Sequence, residues 1–117
     1  MARPADARSL LPLTPAVFHI LLALFDEDRH GFGIAKDIET RTSGRVSLGP
    51  GTLYGTLDRM AETGLVEPVK DDGSDARRRY HRITPLGRAA AKAEALRLQE
   101  LVTIARDKAV LASEKSR

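Results

Sequence analysis

The side chains able to do chemistry in this chain are mostly cations and hydroxyls. Arg77, Arg78 and Arg79 run consecutively, with Lys70 before them and Arg82 after, while Thr52, Tyr54, Thr56 and Arg59 fall in one short upstream stretch. Guanidinium groups bond phosphate oxygens or guanine edges in bidentate fashion, and hydroxyls bond phosphates or bases. Cysteine is absent, which excludes disulfides, thiolate metal sites and thiol nucleophiles. The three histidines, His19, His30 and His81, lie too far apart for a zinc signature. Asp71, Asp72 and Asp75 read as an acidic turn rather than a metal site. No paired carboxylates, HExxH or phosphate-cradling glycine loop supports an enzyme, and no cofactor is expected.

The elements that must position these groups can be read along the 117 residues, enough for one small domain. Hydrophobic residues make up 42% and charged residues 30%, the balance of a folded globular chain. No apolar run reaches the roughly 18 residues of a membrane span, and no secretory h-region precedes Thr14; a cytoplasmic location is expected. The net charge of +3 is unevenly spread: residues 1–64 hold seven basic against eight acidic side chains, and residues 65–117 twelve against eight. A local positive patch on a nearly neutral body suits a phosphate-bearing partner.

Residues 1–12 show no periodicity and read as a flexible arm. Thr14-Pro15 is a helix-start device, a capping hydroxyl followed by a first-turn proline. The following AVFHILLALF is apolar on nearly every side, so a helix over about 15–27 must be buried on more than one face. A second helix over about 31–42 is expected to turn Phe32, Ile34, Ala35 and Ile38 inward and Lys36, Asp37, Glu39 and Arg41 outward. TSGRVSLGPG is a turn with at most a three-residue strand. A third helix, about 52–63, sets Leu53, Leu57 and Met60 on one face and Thr52, Gly55, Asp58 and Arg59 opposite, with Thr52 available as its cap and Gly64 closing it. Leu65–Lys70 and Arg78–Thr84 form a hairpin around DDGSDA, Pro68 belonging on an edge. Thr84-Pro85 repeats the start device, and a helix then runs to about Leu111, about 40 Å at 1.5 Å per residue. Its stripe of Ala91, Ala95, Leu98, Val102, Ala105 and Ala109, widened by Leu101 and Ile104, exceeds what one small domain can cover, which points to helix pairing between subunits.

Three helices followed by a basic hairpin is the order of a winged helix-turn-helix: mostly α with a small β-hairpin, plus a long C-terminal dimerisation helix. The third helix fits a DNA major groove and the hairpin reaches the backbone or minor groove. The expected DNA-binding residues are Thr52, Tyr54, Thr56, Arg59, Lys70, Arg77, Arg78 and Arg79. For Tyr54, packing at the helix–wing junction and a phosphate contact both stay open.

HGFGI at 30–34, GPGTLYGTLDRMAETGLV at 49–66 and RRRYHRITPLGR at 77–88 together resemble the PadR family of bacterial transcriptional regulators in its short form. Gly51-Thr52-Leu53-Tyr54 and Ile83-Thr84-Pro85-Leu86-Gly87 match in order and spacing. Gly55 stands where many members have proline, and the tryptophan platform of the family's drug sensors is missing, since the chain has no Trp. The resemblance implies dimerisation through the N- and C-terminal helices, repression of the protein's own or neighbouring genes, and, in some members, binding of planar or phenolic compounds.

The expected division is a flexible arm (1–12), a DNA-binding domain (13–84), a dimerisation helix (85–111) and a flexible tail (112–117). The dimer interface is expected at Phe18, Leu22, Phe25, Leu98, Leu101, Val102, Ala105 and Ala109. An effector pocket, relieving repression when a small apolar or aromatic ligand binds, would be walled by Phe18, Phe25, Leu98 and Val102. The partners are double-stranded DNA with a pseudo-palindromic operator, a second copy of the chain and such an effector, without a membrane. The competing reading is a winged-helix module that binds protein and not DNA.

Overall fold

The computed structural model describes residues 6–69 and 79–111. In chain order it contains a 3-10 turn Ala7–Leu10, helix α1 Pro15–Phe25, strand β1 Arg29–His30, helices α2 Gly31–Arg41 and α3 Pro50–Glu62, strands β2 Val66–Val69 and β3 Tyr80–Ile83, and helix α4 Pro85–Asp107. The fold is mostly helical with a small antiparallel sheet, as the sequence pattern predicts. Three helices begin with a proline in the first turn, where its missing N–H costs no hydrogen bond. For α1 the Thr14 hydroxyl accepts from the Val17 N–H at 3.2 Å, and for α4 Thr84 does the same for Gly87 at 3.0 Å.

The core forms around α1, whose Ile20, Leu21, Ala23 and Leu24 are buried against Ile34 and Ile38 of α2, Leu53, Leu57 and Met60 of α3, Val66 and Ile83 of the sheet, and Ala90 and Ala91 of α4. Each large core side chain contributes on the order of 2–5 kcal/mol by the cost of truncating it to alanine. At Gly87 the first turn of α4 presses onto the Leu65 carbonyl, and a Cβ there would also come within 2.8 Å of Ile83 Cγ1. Only glycine lets the last helix start this close to the sheet.

The sheet order is β1-β3-β2, with Val66 opposite Ile83, Glu67 opposite Arg82, and His30 opposite Tyr80. Pro68 lies on the edge strand, as expected. Residues 42–49 form a turn without a strand, within the expectation of a turn with at most three strand residues. The Thr42 hydroxyl accepts the Val46 N–H at 3.0 Å, diverting an amide that a strand ladder would use. The extra strand is instead β1, in the segment expected only to close α1. The Arg29 Nε–H donates to the Ala23 carbonyl at 2.6 Å, capping α1 while the backbone extends along β3.

Further corrections concern individual residues. Phe32, expected inward, is 72% exposed. It lies about 200° around the helix from Ile34, whose direction the core sets. Asp37, expected outward, is largely covered and pairs with Arg41 at 3.1 Å and Arg29 at 3.5 Å. Helix α4 stops at Asp107, short of Leu111, and Ala109 takes a positive φ of 63° in the closing turn. Within the arm, Ala7–Leu10 is a 3-10 turn docked on α4 rather than free chain.

Just after the arm, Leu13 is tied to Glu94, 2% exposed on α4. Its carboxylate accepts from the Leu13 N–H at 3.2 Å and from Arg97 at 3.1 and 2.6 Å. The Arg97 hydrogen bonds, helped by Leu13, hold the Glu94 pKa below its ordinary value against the opposing effect of burial. Because the folded-state value is depressed, the contribution is complete above the ordinary carboxylate range and is lost as pH falls through the folded-state value. Glu94→Ala is expected to cost about 1–3 kcal/mol at neutral pH, by stranding the Leu13 amide. Glu94→Gln should lose less and should flatten the acid limb of stability. Urea titrations between neutral and acid pH check this, and a parent-like midpoint for the alanine variant would contradict it.

Candidate nucleic-acid interface

Helix α3 is capped by the backbone of Gly49 without a side-chain hydrogen bond, and Pro50 opens it. Thr52 is therefore a first-turn residue and not the cap, which leaves its exposed hydroxyl free of that task. Leu53, Leu57 and Met60 fix the buried face. The opposite face presents Gly51, Thr52, Asp58, Arg59 and Glu62, with Gly55 between them. Arg59 folds back along this face: its Nη2 lies 3.4 Å from the Thr56 hydroxyl, and its Nη1 would lie 3.7 Å from a Cβ on Gly55. A side chain at 55 would meet the guanidinium only in ordinary van der Waals contact.

Two expected contact residues are placed elsewhere. Thr56 is 3% exposed, because one turn beyond Thr52 and next to Leu57 the helix already faces the core. Tyr54 sits half-buried on the flank, and its ring covers Gly31, where a Cβ would come within 2.7 Å of Tyr54 Cε1 and Cζ. Packing between α2 and α3 is thus its observed role. Asp58 and Glu62 are the acids on the exposed face; the helical period places Asp58 there, and residue type alone marks neither as part of a phosphate-binding surface.

In the wing, Arg79 is exposed and Tyr80 partly so. His81 points inward, and burial, followed by the charge of Arg79, holds its pKa below the ordinary value against the opposing pull of Asp58. Arg82 is engaged by Glu67 of β2 and by Asp28, each at 3.5 Å. Lys70, Arg77 and Arg78, like the acidic turn 71–75, lie outside the described residues. Among the described residues, no group of three or more His, Cys, Asp or Glu is placed to hold a metal ion. None of their helices is long and apolar enough to cross a membrane.

Residues 20–93 match the family model described as the transcriptional regulator PadR-like family. The chain belongs to that family. PadR-family proteins are regulators and not enzymes, and the winged helix-turn-helix reading is thereby secured. The chain is 39% identical over 83 residues to the transcriptional regulator Rv3488 of Mycobacterium tuberculosis, covering 71% of this chain and 75% of that protein. It is 35% identical over 71 residues to an uncharacterised protein of Lysinibacillus sphaericus, covering 60% of this chain but only 65% of the relative's length. The fold is similar to that of a PadR-family regulator from Clostridium difficile, with a TM-score of 0.68 at 21% identity over 80% of this chain and 97% of the other.

The expected pairing surfaces divide into two kinds. The first turns of α4 bury Gly87, Ala90, Ala91 and Glu94 against their own domain. The same face then continues past the domain as exposed Leu98, Leu101 and Val102, with Ala105 partly covered; Leu22 of α1 is exposed as well. Phe18 and Phe25 are half-buried in their own chain, and the Arg88 guanidinium lies 4.7 Å above the Phe25 ring. The cavities beside α2, between the arm and α3, and between the arm and α4 are lined by other residues than Phe18, Phe25, Leu98 and Val102.

Gly31→Ala is expected to force Tyr54 from its seat and destabilise the domain by about 1–3 kcal/mol, the usual cost of overpacking. Gly51→Ala, with open space at the Cβ position, should have little effect. Thermal melting of the two variants checks the contrast; equal melting temperatures would contradict it.

Proposed function

We propose that this PadR-family chain is a homodimeric repressor that binds a pseudo-palindromic operator through α3 and the wing. The observation that carries the reading is the joint exposure of Thr52 and Arg59 on α3 and of Arg79 at the wing root. In this reading α3 enters the major groove. Arg59 and Thr52 meet base edges or phosphates there, and Arg79, together with Lys70, Arg77 and Arg78, neutralises backbone charge. Asp58 accepts from exposed amino groups of cytosine or adenine. The acids also repel phosphate, so misplacing the helix is penalised.

The exposed run Leu98, Leu101 and Val102 pairs with its copy in a second protomer, joined by Leu22, Ala105 and, at the end, Ala109. Two-fold pairing sets two α3 helices about one DNA turn or a multiple of it apart. Residues 13–84 then serve DNA binding and 85–111 pairing, in the cytoplasm where the operator is. An apolar or aromatic effector bound between α1 and α4 of the two protomers, against Phe18, Phe25, Leu98 and Val102, would release the operator if it favours a spacing that fits DNA poorly.

Variants separate these roles. Arg79→Ala should weaken binding to operator and random duplex alike and lower the salt slope by about one ion. Thr52→Ala and Arg59→Ala should narrow the gap between operator and random duplex, by about 1–3 kcal/mol where a bidentate base contact is lost. Val102→Asp should shift the chain towards monomer in light scattering and weaken operator binding. Parent-like affinity in all three DNA-face variants, measured at two salt concentrations, would contradict the proposal.

A further inference from the structure

We infer that His30 is a positioning residue that ties the wing to the recognition helix, beyond serving as a helix cap. The inference rests on the DNA-binding reading for its consequence but not for its geometry. His30 belongs to two elements at once. Its backbone is in β1, paired with Tyr80 of the wing strand, and its side chain caps α2, where Nδ1 accepts the Gly33 N–H at 3.1 Å. An accepting Nδ1 carries no proton, so the cap requires the tautomer protonated on Nε2.

The same ring meets Tyr80 edge-on, with centroids 5.4 Å apart and planes at 79°, and stacks against Phe32 at 6.4 Å. Edge-to-face aromatic pairs at this separation are attractive and directional, so they hold orientation as well as distance. The next residue, Gly31, is the seat of the Tyr54 ring from α3. Two consecutive residues thus connect wing strand β3 to helix α3. Tyr80 is adjacent in sequence to Arg79, the described wing cation. Tyr54 is five residues from Arg59 and two residues from Thr52. A rotation of the imidazole would loosen the cap and the Tyr80 contact together, and with them the angle between the two DNA-facing elements.

A cap alone would need neither the ring nor Tyr80, and this separates the two roles. His30→Asn keeps a good capping acceptor and removes the aromatic contact; His30→Ala removes both. The asparagine variant should melt close to the parent, while alanine melts lower. In the free protein, hydrogen exchange of His30→Asn should rise at Tyr80–Ile83 and in the first turns of α3, with the first turn of α2 still protected. On a duplex selected by the parent protein from a random-sequence pool, His30→Asn should bind about three- to tenfold more weakly, the equivalent of one lost aromatic pair. Arg79→Ala should then cost less in the His30→Asn background than in the parent, because a loosened wing has already surrendered part of that contact. Exchange confined to α2, or parent-like affinity with an undiminished effect of Arg79→Ala, would overturn the inference. Failure of the parent to select any duplex would overturn the DNA-binding reading instead, and the exchange pattern would still decide whether His30 joins the wing to α3.

Discussion

The burial of Ile20, Leu21, Ala23 and Leu24 of α1 is the constraint around which the rest of the structure is arranged. An eleven-residue helix whose Ile20, Leu21, Ala23 and Leu24 are all closed off from solvent requires partners in several directions. Helices α2 and α3 cover one side, β3 another and the start of α4 a third. A few core side chains, each worth on the order of 2–5 kcal/mol on truncation, match the whole net stability of a domain this size, about 5–15 kcal/mol. The orientation of α3 is therefore inherited from α1: with Leu53, Leu57 and Met60 committed to the core, Thr52, Asp58, Arg59 and Glu62 have only the outer face to occupy.

The same packing divides α4 into a covered and an uncovered part. Its first turns lie against α1 and the sheet, made possible by the small residues Gly87, Ala90 and Ala91. Beyond Glu94 no helix residue is buried, but the apolar face continues through Leu98, Leu101 and Val102. Glu94 marks the crossing point. It bonds Leu13, just before α1, and Arg97 on its own helix, so the exposed stretch of α4 starts from a fixed base.

Much of this architecture was legible because it is written in local patterns. Thr14-Pro15 and Thr84-Pro85 announce helix starts by capping chemistry, and Leu53, Leu57 and Met60 announce a buried face by their period. Pro68 announces an edge strand by its missing donor. The unread features are contacts between residues far apart in the chain: Glu94 with Leu13, His30 with Tyr80, and Tyr54 with Gly31. No periodicity records them. The misplacements of Phe32 and Thr56 have a related cause. Each lies close in sequence to core residues of its helix, and only the packing of that helix decides on which side of the boundary it falls. Residue type identified the surface of α3 where it was polar and exposed, but not the return of the Arg59 guanidinium onto the Thr56 hydroxyl.

The central claim is that the outer face of α3 and the root of the wing form one DNA-facing surface. Amide chemical-shift mapping of the protein with and without a selected duplex tests it most directly. The account predicts the largest changes at Gly51, Thr52, Asp58, Arg59 and Glu62 together with Arg79 and Tyr80, and little change along Leu98–Ala105. Changes concentrated on the α4 overhang or around Phe32, with the α3 face unaffected, would contradict it.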